Sequence, residues 1–123
     1  MDELREVTVS PGRYTTYFYA GASGDFNPIH LDDEFAKSVG LPGKILHGLW
    51  TMAQVARALT EAGGGPESLK RLSVQFRGMG VLEQEVVVAG TVESVSDGVA
   101  RVSAEARQGE SRIVRNVEAE LAV

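Results

Sequence analysis

Cysteine is absent from this chain of 123 residues, which excludes disulfides, thiolate metal sites and a cysteine nucleophile together. No apolar run approaches the roughly 18 residues needed to cross a bilayer. The first residues, Met1-Asp2-Glu3-Leu4-Arg5-Glu6, are acidic and mixed, unlike the basic-then-apolar order of a signal peptide. No cluster of lysine and arginine occurs and the net charge is -5, which argues against a nucleic-acid surface. Repeats, low-complexity tracts and linkers are missing as well. The expectation is a soluble cytoplasmic protein with one domain over residues 1–123 and no nucleic-acid or membrane partner. An acidic body can still carry a local basic mouth for a phosphorylated ligand.

What is present falls into two unlike halves around Ala62-Gly63-Gly64-Gly65-Pro66, which reads as the exit from a helix. In the second half Leu72, Val74 and Phe76 share one face, against Arg71, Ser73, Gln75 and Arg77 on the other. Ala100, Val102, Ala104 and Ala106 repeat that period of two, as do Ile113, Val117, Ala119, Leu121 and Val123. Between them, Glu85 to Val95 is rich in β-prone valine. Ser96-Asp97-Gly98 and Gln108-Gly109-Glu110 carry the residues tight hairpins need. The expectation is an antiparallel meander of about four strands.

In the first half, Leu46 to Ala62 is apolar on nearly every side, so the helix it predicts is to be surrounded by other structure. One such helix before a long meander gives an α+β fold, an antiparallel sheet wrapped around a long central helix. Asp32-Asp33-Glu34 opens a shorter helix that Gly40 closes. Leu4 to Val9 reads as a strand and Tyr14 to Ala20 as a short helix.

Between these elements runs Tyr19-Ala20-Gly21-Ala22-Ser23-Gly24-Asp25-Phe26-Asn27-Pro28-Ile29-His30. Pro28 has no backbone donor and drives Asn27 towards extended geometry, so the run cannot be a regular helix. An irregular turn can aim Asp25 and His30 at one point, where a carboxylate and an imidazole make a proton-transfer pair. Asp and Asn beside Pro are equally ordinary turn chemistry. His47-Gly48 marks the start of the long helix. The free N–H groups there carry partial positive charge, and Gly48 admits a ligand to the backbone, as a developing oxyanion requires. Gly48 could equally be small because the helix packs tightly.

The run from Tyr19 to His30, followed by Asp32-Asp33, Ala36, Gly40-Leu41 and His47-Gly48, closely resembles the MaoC-like (R)-specific enoyl-CoA hydratases. It is similar above all to the small bacterial (R)-3-hydroxyacyl dehydratases. The resemblance implies a hot-dog fold, with Asp25 and His30 as catalytic dyad holding one water and the Gly48 N–H facing a thioester oxygen. It implies that Asn27 and His47 position the substrate, and that neither cofactor nor metal is required. The implied substrate is a 2-enoyl thioester of coenzyme A or acyl carrier protein, hydrated to the (R)-3-hydroxyacyl thioester. A homodimer, or a heterodimer with another hot-dog subunit, is implied as well. Three other readings stay open: a subunit active only with a hot-dog partner, a hot-dog thioesterase, and a metal hydrolase using Asp25, His30 and His47. Leu46, Trp50, Phe26 and Phe76 are candidate walls for an acyl tunnel.

Overall fold

The computed structural model describes residues 3–123. Strand β1 (Val7–Val9) leads to helix α1 (Thr15–Ser23), a 3-10 turn at Pro28–His30 and helix α2 (Asp33–Ser38). Helix α3 (Gly48–Gly63) follows, then strands β2 (Leu69–Phe76), β3 (Val86–Ser96), β4 (Val99–Gln108) and β5 (Ser111–Ala122). They form one antiparallel sheet in the order β1-β3-β4-β5-β2. The α+β architecture read from the sequence is therefore present.

The hairpins sit where the turn residues put them. Asp97 and Gly98 both take positive φ, 54° and 76°, the geometry of the two-residue turn that matches strand twist. Three strands form the expected meander, while β2 lies beyond β5 at the far edge. In β5 the residue between Arg115 and Val117 is extra with respect to both neighbours. Ser73 pairs with Glu118 but Gln75 with Arg115, and Ala104 pairs with Val117 but Ala106 with Val114. Asn116 absorbs this bulge at φ 50°, a region asparagine tolerates better than most residues.

Helix α3 begins two residues later than the apolar run suggested, at Gly48. It turns Thr51, Val55, Ala58 and Leu59 inward. Val55 and Leu59 join Val86, Val88, Val102, Ile113 and Val117 in one apolar core. Each such side chain contributes about 1.5–3 kcal/mol on burial. Enclosure on every side is not met within this chain: Leu49 is 61% exposed and Ala53 is exposed. Phe76, which shares the face of Leu72 and Val74 in the sequence pattern, is also half exposed.

Helix α1 runs further than predicted. It continues through Tyr19 to Ser23, and Gly24 stops it at φ 79°, the left-handed cap that favours glycine. The signature run therefore starts in a helix and becomes irregular only at Gly24.

Candidate active site

Three local devices shape the turn after α1. The Asp25 Oδ1 accepts from the Asn27 N–H at 3.2 Å, and the Asn27 Oδ1 accepts from the Ile29 N–H at 3.2 Å. These are nested Asx turns, the behaviour expected of short polar side chains near proline. Pro28 occupies the first position of the 3-10 turn, where a missing N–H costs nothing. The result carries His30 inward to 7% exposure and leaves the second Asp25 oxygen free.

His30 Nδ1 is 2.8 Å from the Ile45 carbonyl oxygen. A carbonyl can only accept, so Nδ1 carries a proton, and the tautomer this contact selects is the one with its lone pair at Nε2. That Nε2 lies 3.9 Å from Asp25 Oδ2. The gap exceeds a direct hydrogen bond. One water placed about 2.8 Å from each atom would see them at roughly 90°, close to the angle its own bonding prefers. That separation is one a single bridging water spans.

His47 lies behind this pair. Its Nε2–H donates to the backbone carbonyl of Asp25 at 3.0 Å. The ring stacks on His30 with centroids 3.9 Å apart and planes 22° from parallel, and Tyr19 packs against it at 4.8 Å. The remaining nitrogen, Nδ1, is buried without a partner among the described residues. Such an orphan costs about 1–3 kcal/mol.

Asp25, His30 and His47 offer ligand atoms within 4.8 Å of one another. The arrangement does not suit one metal ion. Ligating nitrogens must point their in-plane lone pairs at a common centre about 2.1 Å away, whereas these two rings lie face to face.

His47 is the residue before helix α3 and gives it no side-chain cap. Gly48 then supplies the first helical N–H, a group with no intrahelical partner, and none of the described hydrogen bonds uses it. A Cβ built on Gly48 would meet the Phe76 ring first, at 3.4 Å, an ordinary van der Waals distance. Tight helix packing therefore does not explain this glycine. Beside it opens a cavity of about 140 Å³ that His30, Gly48 and Thr51 share with Leu46, Phe76 and Ile113. Of the candidate tunnel walls, Leu46 and Phe76 line it, while Phe26 and Trp50 do not.

Sequence reasoning brought together Asp25, His30, His47 and Gly48, and the fold gathers them. It missed the Ile45 carbonyl, because a backbone acceptor has no side-chain signature. It gave Tyr19 no role beyond the motif, although its ring is one wall of the His47 slot. Asn27 reaches neither Asp25 nor His30 with its side chain; it caps the 3-10 turn that carries His30.

Residues 2–113 match the family described as MaoC like domain. The chain belongs to that family. Fatty acid synthase subunit beta of Aspergillus oryzae is 37% identical over 107 residues, 84% of this MaoC-like chain but 5% of that protein. Peroxisomal enoyl-CoA hydratase 2 of Arabidopsis thaliana is 45% identical over 56 residues, 44% of this chain and 18% of that protein. The MaoC-like chain thus spans only a small part of these curated relatives. In fold, it superposes on the crystal structure of the ChsH1-ChsH2 complex from Mycobacterium tuberculosis with a TM-score of 0.87. That match has 23% identity and covers 98% of this chain and 94% of that one.

Proposed function

We propose that this MaoC-like domain, spanning residues 1–123, is a hydro-lyase. It reversibly adds water across a trans-2-enoyl thioester to give the (R)-3-hydroxyacyl thioester. The observation that carries the reading is the 3.9 Å gap between Asp25 Oδ2 and His30 Nε2, open beside an uncapped helix N-terminus. The identity with an enoyl-CoA hydratase supports the same reaction class.

In this reaction the bracketed water gives its oxygen to the β-carbon and one proton to a member of the pair. The pair returns one proton to the α-carbon, so its total proton count is unchanged, and a proton passed between the two residues restores the starting state. Because both groups face the alkene from one side, the addition is syn. The thioester oxygen rests on the Gly48 N–H, where negative charge grows as the enolate forms. A positioned donor of this kind is worth roughly 3–4 kcal/mol. Asn27 and His47 act through Asp25 and His30 by holding the turn.

The thioester carrier is coenzyme A or acyl carrier protein, and the setting is the cytoplasm. The working unit is a homodimer or a heterodimer with another hot-dog subunit. Phe18, Phe26 and Leu49 are 75%, 62% and 61% exposed, large apolar side chains of the type that partner surfaces cover.

The test is the loss of enoyl absorbance from a short and a long 2-enoyl-CoA, with chiral analysis of the product. Formation of the (R)-3-hydroxyacyl-CoA supports the proposal. Release of free thiol with an unchanged alkene points instead to a thioesterase.

A further inference from the structure

Gln108, the last residue of β4, is 5% exposed and far along the chain from the Asp25–His30 turn. Its side-chain amide is fully used. The Oε1 accepts from the Val81 N–H at 2.8 Å, while Nε2 donates to the Val81 carbonyl at 2.8 Å and to the Gln84 carbonyl at 2.9 Å. By engaging both backbone groups of Val81, the amide takes the place that a further strand would occupy.

The other side of Val81 faces the site. Val81 and Ile45 form an isolated antiparallel bridge, and the Leu46 N–H donates to the Gly80 carbonyl at 2.8 Å. Ile45 then directs both of its own backbone groups towards the catalytic turn. Its N–H donates to the Ile29 carbonyl at 3.1 Å, and its carbonyl takes the His30 Nδ1 proton at 2.8 Å. The order across this ladder is Gln108, then Val81, then Ile45, then His30.

The ladder needs an outside anchor. The segment before Val81 reads Gly78-Met79-Gly80, and glycine gives backbone the most freedom to lose on ordering. That same segment lines the cavity beside His30 and Gly48.

We propose that Gln108 is a positioning residue for His30: its amide fixes Val81, and through Ile45 it fixes the tautomer and aim of the imidazole. The effect on turnover rests on the hydro-lyase reading; the effect on the ring does not.

The experiment compares the wild type with Gln108→Met, which keeps the length and removes all three bonds. The chain has two histidines, so their ring nitrogens are readily resolved by 15N–1H correlation in labelled protein. The wild type is expected to show His30 protonated at Nδ1 and bare at Nε2. Gln108→Met is expected to mix the tautomers. It should lower kcat on a 2-enoyl-CoA roughly tenfold to a hundredfold, the cost of a misplaced group, with KM within about twofold. If Gln108→Met does not fold, Gln108→Glu carries the test, since it keeps an acceptor for the Val81 N–H but donates to neither carbonyl. A lower melting temperature with unchanged His30 signals and unchanged kcat overturns the proposal. Should the wild type hydrate no enoyl thioester, the function fails and the ring signals alone decide the role of Gln108.

Discussion

The imidazoles of His30 and His47 stack with centroids 3.9 Å apart, and each donates a proton to a backbone carbonyl of a different segment. His30 reaches forward to Ile45, at the entry to helix α3. His47, at the head of that helix, reaches back to Asp25. The two contacts cross-brace the turn against the helix, so Asp25, His30 and the Gly48 N–H keep one geometry. Face-to-face stacking also leaves the rings unable to converge on one cation.

Loss of either half of the pair should remove the reaction. Asp25→Asn and His30→Gln are each expected to slow hydration of a 2-enoyl-CoA by about a hundredfold or more, the lower range for a positioned acid or base. Asp25 has a half-exposed side chain, so the folded state should survive its change. Wild-type turnover in either folded variant, followed by enoyl absorbance, would remove the dyad from the account.

His47 should matter by holding Asp25 and not by moving protons. His47→Phe keeps a flat ring between Tyr19 and His30 but loses the bond to the Asp25 carbonyl. It also deletes the orphaned Nδ1, so the net change in stability should stay within about 1 kcal/mol. The expected outcome is a melting temperature near wild type with kcat reduced less than in Asp25→Asn. A variant as inactive as Asp25→Asn, yet equally stable, would instead give His47 a direct part in the chemistry.

Gly48→Ala separates the oxyanion role from packing. The nearest neighbour of the new methyl group is the half-exposed Phe76 ring, at 3.4 Å, and alanine favours a helix over glycine by about 0.5–1 kcal/mol. Thermal stability should hold or rise while hydration falls roughly tenfold or more, as a shielded donor requires. Undiminished turnover in a stable variant would show that the thioester oxygen rests elsewhere.

Gly90→Ala tests the fold without touching the site's residues. A Cβ there lies 2.8 Å from both Leu4 Cδ1 and the Ser103 carbonyl oxygen, and a backbone oxygen in a strand cannot step aside. Overpacking of this kind costs about 1–3 kcal/mol, to be read as a lower urea midpoint. A midpoint equal to wild type would mean that β3 and β4 sit further apart at this point.

How far the sequence carries this account follows from the range of each interaction. The hairpin at Asp97-Gly98 and the cap at Gly24 are local, and a positive φ leaves its mark in the residue chosen. Asp25, Asn27, Pro28 and His30 are neighbours in one turn, so their shared purpose is legible within one stretch of chain. The start of α3 is less so, because Leu46 and His47 are buried like helix residues while standing just outside it. The place of β2 beside β5 depends on a long connection that periodicity does not encode. Gln108 is silent in sequence, since its three acceptors and donors lie 24 to 27 residues away.

Running the hydration in deuterium oxide tests most directly the proposal that Asp25 and His30 work from one face of the alkene. The account predicts a (3R)-hydroxyacyl thioester with a single deuterium on the α-carbon, added from the same side as the hydroxyl group, and almost no product from Asp25→Asn. Deuterium on the opposite face, or an equal yield from the variant, would contradict it.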